Sequence, residues 1–114
     1  MEFLALIHED KNGRESLSDE EGQAIMQRYM TFSERDEVVS GAELENTGTA
    51  TTVRVRDGDR LVTDGPYAEV KEALGGYFIL ECDSIDEACR LAAEIPAAEH
   101  GAIEVRPAFM GEES

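Results

Sequence analysis

Two strands that are apolar on both faces, two helices opened by capping serines, and an Asp-Gly hairpin between them predict an α+β domain. Their order is β-α-β, hairpin, β-α-β, which is the split βαβ, ferredoxin-like plan with an inserted β-hairpin. The first strand is EFLALIHE, Glu2 to Glu9; Phe3, Ala5 and Ile7 point one way, Leu4 and Leu6 the other. DKNGRES is a polar turn. In the helix that follows, Ser18 and Glu21 form a capping box, and Asp19, Glu20 and Glu21 suit the positive end of the helix dipole. Ile25, Tyr29 and Phe32 recur at helical spacing as its buried stripe, and Gly22 weakens its start.

A second strand runs from Val38 to Glu45, with a bulge at Ser40-Gly41. ATTVRVRDGDRLVT is a hairpin, with β-branched alternation at Thr51, Val53 and Val55 turned by Asp57-Gly58. GGYFILEC is again apolar on both faces. Ser84 and Glu87 repeat the capping box ahead of a helix whose stripe is Ile85, Ala88, Leu91, Ala92 and Ile95, stopped by Pro96. AIEVRPAFM closes the chain as a strand, with Pro107 marking an edge or an end. Two helices cover one face of such a sheet. The other face is still apolar, and a second copy of the chain is its simplest cover, giving a homodimer with two sheets face to face.

The 114 residues fit one domain, residues 1–114, with one core. Ten basic and 26 acidic residues leave a net charge of −16, which repels nucleic acid and anionic membrane. The same charge serves solubility, suits a high-salt habitat, or favours cationic ligands. No apolar run approaches the ~20 residues that span a bilayer, and MEFLALIHED meets acids at once, so a cytoplasmic location is expected. Cys82 and Cys89 match neither a disulfide framework nor a metal knuckle; two free thiols are expected, with Cys89 a small core filler.

The stretch LVTDGPYAEVKEALGGYFIL, Leu61 to Leu80, concentrates special residues between two strands. Asp caps a turn with its own carboxylate, Gly supplies dihedrals others avoid, and Pro fixes φ. With ATTVRVRDGDR before it and DEA, Pro96 and AIEVRP after it, the stretch resembles the YCII-related proteins of the DGPF type. Their Asp-Gly-Pro-Phe signature reads Asp64-Gly65-Pro66-Tyr67 here. The resemblance spans nearly the whole chain and implies a dimeric α+β barrel. Its relatives of similar fold include muconolactone isomerase-like enzymes and small monooxygenases. It also implies a link to extracytoplasmic-function sigma factors, beside which such proteins are often encoded. YCII proteins in the narrower sense place a His in the first helix within a His/Asp pair; this first helix has none, and its link to the second strand is shorter.

Two readings of the candidate chemistry follow. In one, the protein is a small-molecule enzyme of isomerase or lyase type, its ligand held between sheet and hairpin. Asp64 is then the acid/base and His8 its proton partner, while Gly65, Pro66, Tyr67 and Lys71 position a small organic substrate. In the other, it is a non-catalytic ligand sensor or a sigma-factor accessory; separately from both, the Asp-Gly-Pro turn reads as purely a folding element. Taken singly, each residue also has a plain account: His8 as a hydrogen-bonded rim residue, Tyr67 as core, and Lys71-Glu72 as a solvated pair. His100 sits in a loop with no expected role. No metal or cofactor is called for: there is no ligand spacing, phosphate loop, nucleophile elbow or dinucleotide fingerprint.

Overall fold

The structure, a computed structural model, describes residues 1–10 and 17–109; the polar turn expected after β1 falls largely outside them. Along the chain come β1 (Glu2–Glu9), α1 (Asp19–Ser33), β2 (Val38–Glu43), β3 (Thr51–Arg56), β4 (Asp59–Asp64), β5 (Ala73–Glu81), α2 (Ile85–Ala92) and β6 (Ala102–Pro107). Four strands form one antiparallel sheet in the order β2-β5-β1-β6, and β3 and β4 form a separate two-stranded sheet. The first strand of each half is therefore central, as the two-faced apolar runs require. Pro107 ends β6, an edge strand, where a missing N–H costs nothing.

Alternation along β1 is strict. Phe3, Ala5, Ile7 and Glu9 are buried, and the residues between them are half-exposed. The buried phase meets Leu80 of β5 and, from α2 and the turn after it, Ala88, Leu91, Ala92, Ile95 and Ala97. Phe32 of α1 completes this core by standing edge-on to Phe78 of β5, ring centres 4.9 Å apart. Two bidentate ion pairs tie α1 down. Arg35 reaches Glu94 beyond α2 at 2.6 and 2.5 Å, and Arg28 reaches Glu99 at 3.1 and 2.5 Å.

Local signals mostly act as read. Ser18 and Glu21 make the full reciprocal capping box. At α2, Ser84 accepts from the Glu87 N–H, but the Glu87 carboxylate turns one residue further back, to the N–H of Asp83 at 3.1 Å. The Asp57-Gly58 turn has φ of 53° and 81°, both left-handed as a tight hairpin demands. In β2 the register slips between Val38 and Ser40, one residue before the expected bulge, and the strand stops at Glu43.

Cys89 is not the core filler expected. Cys89 is exposed and Cys82 is buried in the core. Cys89 follows Ala88 by one residue, about 100° round the helix from the buried stripe. Ile85 also stands out, 45% exposed in the first turn of α2. Burial pushes the Cys82 thiol up, and the Glu87 carboxylate adds to the effect. A thiol reagent should label Cys89 in the native protein and Cys82 only after denaturation, as read by mass spectrometry of digested protein. In α1, a Cβ on Gly22 would touch nothing within 4 Å. Gly22→Ala should therefore stabilise the fold by about 0.5–1 kcal/mol in urea denaturation.

Candidate active site

A cleft of about 940 Å³ separates the N-terminal half of α1 from the sheet. Its cause is local. Beneath the C-terminal half of the helix, Phe78 rises to meet Phe32. Beneath the N-terminal half, Gly76 on β5, paired with Ile7, puts no side chain under the helix, whereas the space over Gly41 on β2 is taken by the Phe78 ring, 2.6 Å from where a Cβ would stand. Gly76 lies so close to β2 that a Cβ would stand 2.8 Å from the Ala42 carbonyl. Ile25 and Tyr29, expected as buried stripe, are only half-buried because they face this gap, and Met26 and Met30 stand at its rim, 58% and 53% exposed.

Glu9 enters the cleft floor from the end of β1. It is the fourth residue of the inward phase, so the strand delivers a carboxylate to the face where apolar residues belong. Its side chain is 2% exposed, and its Oε2 lies 3.2 Å from Nε2 of His100. A buried carboxylate needs such a partner. His100 is held in the loop before β6, where Gly101 lets the chain pass directly over β1; a Cβ there would collide with the His8 carbonyl. The imidazole is 54% exposed, so the pair reaches from the cleft floor to water. The rest of the frame is charged at the surface: the Arg28 guanidinium holds the Glu99 carboxyl below the ordinary glutamate range, next in sequence to His100.

The residues expected to form a site stand elsewhere. His8 points to the opposite face of the sheet, where its Nε2 meets Glu104 Oε1 at 3.0 Å. Asp64 ends β4, exposed, opposite Thr51. Gly65 has φ of 105°, its N–H donates to the Ala50 carbonyl at 2.8 Å, and its own carbonyl accepts from Thr52 Oγ1 at 2.9 Å. Those bonds fold Gly65 and Pro66, both half-buried, back on β3. Tyr67 is 81% exposed and packs by one face on the Arg54 guanidinium, 5.6 Å from the ring centre, not in a core. Lys71 is exposed in the loop before β5. No hydrogen bond or ion pair among the described residues joins Asp64 to His8, and none of these residues lines the cleft.

Glu9 and His100 were thus missed, although a signal for Glu9 was present: Phe3, Ala5 and Ile7 are followed in phase by Glu9. Nothing local marks His100, since β1 and the loop before β6 meet only in the folded sheet. Among the described residues no group of three His, Cys, Asp or Glu side chains is placed to hold a metal. No helix among them is long and apolar enough to cross a membrane.

Fold and signature together define an α+β protein of the ferredoxin-like plan with an added hairpin. The chain belongs to the YCII-related family, whose domain model matches residues 1–110, and Asp64-Gly65-Pro66-Tyr67 is its DGPF-type signature. It is 35% identical to an uncharacterised protein of Rhizobium meliloti strain 1021, over 94% of this chain and 91% of that one. Among solved structures it is similar to a 5-chloro-2-hydroxyhydroquinone dehydrochlorinase of Burkholderia phenoliruptrix AC1100, in complex with 2,5-dihydroxybenzoquinone. That match is 16% identical, with a TM-score of 0.47, and covers 100% of this chain and 99% of the other.

The His100 loop offers a direct check on the site. Gly101→Ala should cost about 1–3 kcal/mol in urea denaturation and displace the His100 ring resonances in an NMR spectrum, because the added methyl pushes the loop away from β1.

Proposed function

We propose that the protein is a small-molecule enzyme of isomerase or lyase type that moves a proton on an organic ligand held between α1 and the sheet. One observation carries this reading: a carboxylate 2% exposed on the floor of a roomy cleft, hydrogen-bonded to an imidazole that itself reaches water. A carboxylate so placed accepts a proton from the ligand and returns it, without a nucleophile or a covalent intermediate. His100, hydrogen-bonded to Glu9 and itself half in water, offers a path for protons to the solvent. The aromatic and methionine wall of Tyr29, Phe78, Met26 and Met30 supplies the apolar contact that binds the body of a small ligand.

Asp64 is the second acid/base of this proposal, with Gly65 and Pro66 aiming it, Tyr67 and Lys71 beside the ligand, and His8 as an accessory proton carrier. In one chain Asp64 stands outside the cleft, so its part requires two chains. The second chain of this reading is another copy, seated on the open sheet face. The sheet face away from the helices carries Leu4, Leu6, Tyr77 and Ile79, all short of full burial, and two such faces pack at about 10 Å.

Proton transfer can be read without knowing the substrate. The protein is incubated in D2O with a panel of small carbonyl and phenolic compounds, and deuterium uptake at carbon is followed by NMR. Wild type should exchange at least one compound, and Glu9→Gln should slow that exchange by roughly 10²–10⁴-fold while its melting temperature stays close to wild type. Exchange at the wild-type rate in Glu9→Gln would retire the assignment. Compounds that raise the melting temperature yet never exchange would favour a sensor instead.

A further inference from the structure

Among the described residues, one face of the hairpin of β3 and β4 is uncovered in a single chain. It makes a two-stranded sheet of its own, and a lone two-stranded hairpin is marginal in water unless one face is packed. Its register sorts the side chains into two faces. Thr51, Val53 and Val55 share one face with their partners Asp64, Val62 and Arg60. Thr52, Arg54 and Arg56 share the other with Thr63, Leu61 and Asp59.

The second face is partly dressed by its own chain. Thr52 bonds the Gly65 carbonyl and Arg54 carries the Tyr67 ring. The first face has no such cover: Val53, Val55 and Val62 are 59%, 63% and 57% exposed, and these β-branched residues sit side by side. Charge singles out the same segment. Between residues 51 and 71, Arg54, Arg56, Arg60 and Lys71 cancel Asp57, Asp59, Asp64 and Glu69, so the whole net charge of −16 lies on the rest of the chain. Two such bodies repel, and the hairpin is the part of each that approaches the other without penalty, with Arg60 and Asp64 balancing on its valine face. The shape agrees. The radius of gyration is 16.3 Å, and the extents are 46 × 46 × 18 Å. A compact domain of this length has a radius of about 13 Å.

We propose that the hairpin is an arm that seats its Val53–Val55–Val62 face on a second copy of this chain, so that Asp64, which shares that face, acts at the contact between two chains and not within its own. This goes beyond a dimer made by sheet faces alone, because it makes the Asp-Gly-Pro signature an interchain element. It stands apart from the assignment of Glu9, since it is read by mass and not by turnover.

Sedimentation velocity of the full chain, from low to high micromolar, tests it. Wild type should be dimeric. Val53→Glu with Val62→Glu should raise the dissociation constant roughly 100-fold or more, because each chain then buries charge where it buried two valines. Thr63→Glu, on the dressed face, should leave the constant unchanged. A double variant that dimerises as wild type would overturn the proposal and leave the sheet faces as the sole contact; so would a wild-type monomer, whose hairpin must then be covered by a different molecule. Because the glutamates can also unravel the hairpin, a second measurement leaves it intact. p-Benzoylphenylalanine replaces Val62, labelled and unlabelled chains are mixed, and the sample is irradiated. Adducts between labelled and unlabelled chains, at twice 12.5 kDa, are expected, and adducts confined to single chains would sink the idea.

Discussion

A four-stranded sheet has two faces, and two helices cover one of them. Most of this structure follows from that shortage. α2 and its following turn lie over β1 and β6 with small buried residues, Ala88, Ala92 and Ala97, which let them sit close. α1 spans the other half of the sheet alone. Only Phe32, near its C-terminus, is fully buried, and the helix is secured at the surface by Arg28–Glu99 and Arg35–Glu94. Exposed ion pairs of this kind contribute little to stability in themselves. Their value here is geometric: they hold α1 above a floor it does not fill.

That unfilled floor makes a site. Gly76, in register with Ile7, withholds a side chain from the space under α1, and the same phase of β1 that supplies Phe3, Ala5 and Ile7 then supplies Glu9. A buried carboxylate works against folding unless it is paired, and the pairing comes from the far end of the chain, through His100. A second shortage lies elsewhere: among the described residues, the valine face of the hairpin is left open.

The DGPF-type signature looks different in this light. Gly65 takes a left-handed φ, Thr52 and Ala50 anchor it, and Tyr67 lies on Arg54. The turn is bound to β3 and leaves Asp64 on the opposite, open face of the hairpin. The turn is thus a folding element whose bonds also fix the face on which Asp64 stands.

Nearest-neighbour physics wrote most of the fold into the sequence. Strand alternation, the Ser18 cap, the Asp57-Gly58 turn and Pro107 act within a few residues, so the element order and the antiparallel ferredoxin-like sheet were legible from them. Errors arose where one helical step decides burial, as at Cys89 and Ile85. Tertiary structure decided the rest, because it depends on what meets across the sheet. Glu9 and His100 are 91 residues apart in the chain and bond only once β1 lies beside β6. His8, one residue from Glu9, is carried by the pleat to the other face. A motif announces which residues are constrained, but the empty space that receives a ligand is a property of packing, and packing is set by residues distant in sequence.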